Sequence, residues 1–111
     1  MKLEVVDEAN GVTRLVLAGR MDIAGALAVD DRFREISETK RKVIVDLASV
    51  DFMASLGMRT LVSSAKSIAR ERGKMVILNP QRNVEEALKT AGIDSIIPVV
   101  SDLSTANALV S

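Results

Sequence analysis

A chain of 111 residues makes one compact domain and is too short for two ordinary ones, and with nearly half of it apolar it can bury a real core. Its 15 Lys and Arg balance its 15 Asp and Glu to zero net charge, which argues against nucleic acid, whose phosphates need a basic excess or stripe. There is no Cys and no His, so Cys–His and Ser–His–Asp catalysis, thiolate sites and His-based zinc sites are excluded.

Smaller features point the same way. The only aromatic residues are Phe33 and Phe52, too few for a base-stacking surface. Arg70, Arg72 and Lys74 cluster, but Glu71 interrupts them, as on a solvated helix end. Missing cysteine fits a reducing cytoplasm. Met1 to Asp7 is charged and alternating, unlike a secretory leader, and no apolar run reaches the roughly 20 residues that span a membrane. A cytoplasmic protein without direct membrane insertion is expected.

In chain order, Lys2 to Asp7 and Val12 to Ala18 read as two strands joined at Asn10-Gly11, a β-hairpin with positive φ at its turn. Gly19-Arg-Met-Asp22 ends the second strand, and Asp22 can cap a helix carrying Ala26, Val29, Phe33 and Ile36 on one face. Val43 to Leu47 is a short strand, apolar except for Asp46, as suits a strand buried on both faces. A second helix runs from Ser55 to about Arg72, with Gly73 suited to the C′ position.

Met75 to Leu78 is another buried strand, and Asn79-Pro80 breaks the chain. Asn83 opens a third helix, with Glu86 three residues on in a capping-box arrangement and Gly92 at its end. Ile96, Ile97, Val99 and Val100 suggest an edge strand around Pro98. Ser101 or Asp102 caps a last helix bearing Leu103, Ala106, Leu109 and Val110. The pattern is ββαβαβαβα. It predicts a single α/β domain over 1–111, with a mixed, mainly parallel sheet of four to five strands and about four helices.

Ser55 stands out chemically. It lies where a buried strand gives way to a helix, at unpaired N–H groups and the positive end of the helix dipole, where an anion is favoured. An ordinary N-cap explains a serine there equally well. Gly57 falls in the first helical turn, where glycine costs about 1 kcal/mol relative to alanine. Close approach of a ligand, or tight packing on the sheet, would account for it. Met53 and Met58 flank the serine, as an adaptable binding surface or as core. Asp22, Asp46 and Asp51 could suggest an acidic magnesium site, but no acidic pair ends the first strand and no lysine follows a later one, so caps and turns are the simpler reading. Gly19 to Gly25 lacks the spacing of a phosphate loop.

Asp51-Phe-Met-Ala-Ser-Leu-Gly57, preceded by Val43-Ile-Val-Asp-Leu47, resembles the signature of the STAS domain family, in particular the bacterial anti-sigma factor antagonists. Gly19-Arg-Met-Asp22 resembles the family's second signature, and the likeness spans essentially the whole chain. The resemblance implies a STAS-like fold and a partner switch rather than an enzyme, with no cofactor and no metal. An anti-sigma factor that is also an ATP-dependent serine kinase would phosphorylate Ser55, and a PP2C-type phosphatase would restore it. Unphosphorylated, the antagonist would bind the anti-sigma factor and free a sigma factor. Asp22, Met53, Ala54, Leu56, Gly57 and Met58 would form the partner surface. Ala54 stands where family members commonly carry Asp, and Leu56 where a small or polar residue is frequent. The same resemblance admits a STAS subunit of a lipid ABC transporter, a non-phosphorylated scaffold, or a sensor of nucleotide or lipid.

Overall fold

The computed structural model describes residues 1–111. Its elements are β1 (Lys2–Asp7), β2 (Thr13–Met21), α1 (Ile23–Thr39), β3 (Lys42–Met53), α2 (Ser55–Arg70), β4 (Lys74–Leu78), α3 (Arg82–Thr90), β5 (Val99–Val100) and α4 (Leu103–Val110). The sheet runs β1-β2-β3-β4-β5, antiparallel between β1 and β2 and parallel elsewhere. The element order and the five-stranded mixed sheet agree with the pattern read from the sequence. The opening hairpin has Asn10 at φ 63° and Gly11 at φ 75°, but it is looser than a two-residue turn: Glu8 N donates to Val12 O at 2.7 Å.

Alternation along the central strands divides the core. Val43 and Val45 of β3, with Met75 and Ile77 of β4, face the larger cluster beneath α1, α2 and α3, which holds Phe33, Leu61, Ile68 and Leu88. Ile44, Val76 and Leu78 point the other way, onto Ala106 and Val110 of α4. Both faces of these strands are covered, which is why their sequence is continuously apolar.

β3 is much longer than the segment Val43 to Leu47, and the reason is a pair of register shifts. Against β2 it gains one residue between the pairs Val16↔Asp46 and Ala18↔Ser49, and another between Gly19↔Val50 and Arg20↔Phe52. Each bulge moves the inward position on by three instead of two, so Leu47, Val50 and Met53 are buried while the residues between them are exposed. Alternation is lost and the strand becomes hard to see in the sequence.

β4 pairs with β3 only as far as Leu78↔Asp46. Beyond it, side chains replace the strand: Gln81 Nε2 donates to Ala48 O at 2.9 Å and Asn83 Nδ2 to Asp51 O at 2.8 Å. This corrects the capping-box reading. Gln81 is the N-cap of α3, without a side-chain cap bond, and Glu86 faces Arg82 at 3.4 Å. Asn83 instead satisfies a backbone carbonyl that would otherwise lie open.

α2 ends in a Schellman pair, Gly73 N to Ile68 O at 2.9 Å and Arg72 N to Ala69 O at 3.0 Å. Arg72, not Gly73, takes the left-handed C′ position, at φ 64°. Gly73 is needed for closeness, since a Cβ there would meet Ile68 Cγ2 at 2.6 Å and Arg41 Cα at 2.9 Å. β5 is only Val99–Val100, and Ile97 turns into the core. Asp102 rather than Ser101 caps α4, accepting from Thr105 N at 2.8 Å. That bond most of all, with a second from Thr105 Oγ1 at 3.0 Å, holds its carboxyl below its ordinary pKa.

Candidate functional site

β2 and β3 run parallel and finish side by side at Met21↔Met53. Ala54 N donates to Met21 O at 2.9 Å, which carries the pairing one residue further. Both strands then lead into helices at the same end of the sheet, so Asp22 and Ala54 are neighbouring N-caps. The two caps differ. Asp22 Oδ1 accepts from Gly25 N at 2.8 Å. Ala54 has the extended backbone of a cap, φ −87° and ψ 167°, but no side chain to accept a bond. Ser55 is therefore the first helical residue, not the cap, and its side chain is exposed.

Two glycines let the helix starts sit close on the strand ends. A Cβ on Gly57 would fall 2.7 Å from Met53 Sδ and 2.8 Å from Met21 Cγ. A Cβ on Gly25 would land against the carbonyl oxygen of Arg20. Gly57 is buried, and the contact that requires it is packing. Met53, at 5% exposure, belongs to the core beneath the site. Leu56 and Met58 are half-buried and pack against the same core with part of their surface open. Of the residues expected to meet a partner, Asp22, Ala54, Leu56 and Met58 reach the surface around Ser55, while Met53 and Gly57 shape it from below.

Sequence reasoning missed four residues of this face. Ile23 and Leu27 are each 65% exposed and Phe52 is 37% exposed. Arg20 lies with Cζ 4.4 Å from the Phe52 ring centroid and Nε 3.8 Å from Asp22 Oδ2. The available signal was the α1 pattern: Ile23 and Leu27 stand one turn apart, off the buried stripe of Ala26, Val29, Phe33 and Ile36. A cavity of about 210 Å³ between α1 and α2 begins beside Leu27 and Leu56 and runs past Arg59 and Thr60.

The three aspartates do not converge. Asp22 caps α1, and Asp51 is exposed on β3. Asp46 lies on the α4 side of the sheet, where its Oδ2 is 3.0 Å from Arg14 Nη1 and its Oδ1 accepts from Ala48 N at 3.0 Å. Arg14 also donates from Nε to Glu8 at 2.6 Å. That bond first, and Asp46 second, raise the guanidinium pKa above its ordinary value, against the opposing effect of burial. No group of three acidic, His or Cys side chains could hold a metal ion. No helix is long and apolar enough to cross a membrane.

Comparison with known proteins gives a consistent result. BtrV of Bordetella bronchiseptica, named for anti-sigma factor antagonism, is 28% identical over 109 residues, covering 97% of this chain and 93% of that one. An anti-sigma factor antagonist from Mycobacterium paratuberculosis superposes with a TM-score of 0.87 at 21% identity, over 98% of this chain and 92% of that one. An antagonist STAS protein from Planctomyces limnophilus gives 0.86 at 23% identity, over 98% and 97%. The model of the STAS domain matches residues 5–106, and the chain belongs to the STAS domain family.

Proposed function

We propose that this protein is a cytoplasmic anti-sigma factor antagonist that works by partner switching at Ser55. Unmodified, it binds an anti-sigma factor that is also a serine kinase, and a sigma factor is released. Phosphorylation of Ser55 by that kinase ends the complex, and a PP2C-type phosphatase resets it. The observation that carries this reading is an exposed serine at the first position of α2, beside an N-cap that offers its helix no acceptor. The relatives named above support the choice of partner.

The switch follows from charge. A phosphoserine brings about −1.5 to −2 charges at neutral pH. At a helix N-terminus that charge is favoured, so the folded domain tolerates it. The effect falls on the complex. Leu56 and Met58, with Ile23, Leu27 and Phe52 nearby, offer an apolar rim to a partner. Closing a partner over this rim would bury the dianion, and an unpaired buried charge costs several kcal/mol, where about 1.4 kcal/mol is tenfold in affinity. Ala54 leaves the unmodified face less acidic than an aspartate would, so the contrast between the two states is kept or enlarged.

The test is titration of the captured anti-sigma factor with wild type and Ser55→Asp. A loss of affinity of about a hundredfold is expected, with intact mass in ATP showing one phosphate that Ser55→Ala does not gain. Equal binding of Ser55→Asp sinks the proposal. Co-purification with a permease, without phosphate, would move the protein to a transport role.

A further inference from the structure

At the opposite end of the sheet from Ser55, the ladder between β4 and β5 stops early. Lys74 N donates to Arg41 O at 2.7 Å, so Lys74, Val76 and Leu78 turn their backbone groups toward β3. Ile77 N donates to Pro98 O at 2.9 Å and Asn79 N to Val100 O at 2.7 Å, so the alternate residues face β5. Met75 belongs to this second set. In the parallel register its carbonyl would take the N–H of residue 98, which is proline and has none. Its N–H would take the carbonyl of Ile96, whose backbone has turned helical at φ −104° and ψ −42°, and no such bond forms. Met75 is nonetheless 5% exposed. The side chain is mostly buried, while both backbone groups face the open edge without a protein partner, the state that lets a sheet edge pair with another strand.

The space beside it is a cavity of about 230 Å³, where the missing length of β5 would lie. Ala65 and Ala69 of α2 wall it on one face of the sheet and Leu109 of α4 on the other. Ile96 and Leu109 are exposed at its rim. Lys74 is its only ionisable lining residue.

We propose that this slot receives one extended, apolar segment of a partner protein, whose backbone pairs with Met75 and continues the ladder that Pro98 ends. The chemistry selects the occupant. Backbone donor and acceptor together call for an extended peptide, the flanking alanines, Ile96 and Leu109 call for apolar side chains, and Lys74 calls for an acidic neighbour. The slot lies away from Ser55 and does not depend on the switch.

The probe is the peptide acetyl-Glu-Val-Ile-Val-Glu-amide, titrated into the full ¹⁵N-labelled chain. Saturable shifts are expected at the amides of Met75, Val76, Ile96 and Leu109, with at least tenfold slower hydrogen exchange at Met75. The same peptide N-methylated on its three apolar residues should not bind, and Leu109→Glu should weaken the parent peptide at least tenfold while leaving the other amide signals in place. Absence of saturable shifts overturns the proposal. So does equal binding of the N-methylated peptide, which would make the site merely apolar. Movement of the Met75 signal with protein concentration alone would overturn it in favour of a second copy of this chain.

Discussion

Replacing Gly25 by alanine sets two physical effects against each other. Helix propensity favours the change by about 1 kcal/mol, because glycine is a poor helix former. Packing opposes it. The new methyl would press on the carbonyl oxygen of Arg20 and lie 3.2 Å from Asp22 Oδ1. The first obstacle is backbone, so no rotamer change removes it, and α1 must lift from the end of β2. That strain costs about 1–3 kcal/mol. Lifting also stretches the 2.8 Å bond from Gly25 N to Asp22, a cap contributing about 1 kcal/mol. The net expectation is a destabilisation of about 1–3 kcal/mol. Urea melts of wild type, Gly25→Ala, Asp22→Ala and the double variant measure it. Asp22→Ala should cost about 1 kcal/mol alone and less than about 0.5 kcal/mol when Gly25 is already alanine, since the cap is then already open. A Gly25→Ala protein as stable as wild type, or more so, would refute the reasoning.

The remaining predictions concern the rest of the domain. Asp46→Ala should destabilise more than Glu8→Ala, because Asp46 holds both Arg14 and the N–H of Ala48, whereas Glu8 holds Arg14 alone; thermal melts rank the two. Arg72→Gly should stabilise by about 0.5–1 kcal/mol, since glycine takes a left-handed position without a Cβ penalty; an unchanged melting temperature would count against it. The Thr105 amide should titrate with a midpoint below 3.8, following the lowered Asp102 carboxyl. A lowered folded-state value means that the cap's contribution is complete above the ordinary carboxylate pKa and is lost as pH falls through the folded one. In Asp102→Ala the Thr105 signal should lose this step in an NMR titration.

The residues made some parts of this molecule legible and hid others. Val43 to Val45 and Met75 to Leu78 were visible because strands covered on both faces need apolar side chains throughout. Asp22 was visible because a cap needs a short acceptor at a fixed offset from the helix. The far half of β3 was hidden, since two bulges erased the alternation by which a half-buried strand is recognised. Asn83 misled for a related reason. Its spacing to Glu86 looked like a local device, and its actual partner, Asp51 O, is 32 residues away. Gly57 drew attention to the start of α2, but its burial against Met21 and Met53 answers to packing. The exposed rim of Ile23, Leu27 and Phe52 depends on which faces the tertiary fold leaves uncovered, and local spacing carries only part of that information.

The bulged half of β3 has a consequence for how such a surface diversifies. An ordinary half-buried strand displays one residue in two. From Leu47 to Met53 this strand displays two in three: Ala48 and Ser49, then Asp51 and Phe52. Each displayed pair stands between core anchors that stay fixed when the pair changes. A lineage can therefore rewrite four surface letters on the strand that leads to Ser55 without disturbing the words that spell the core. Insertion or loss of a single residue is another matter, because it would exchange anchors for letters along the whole segment.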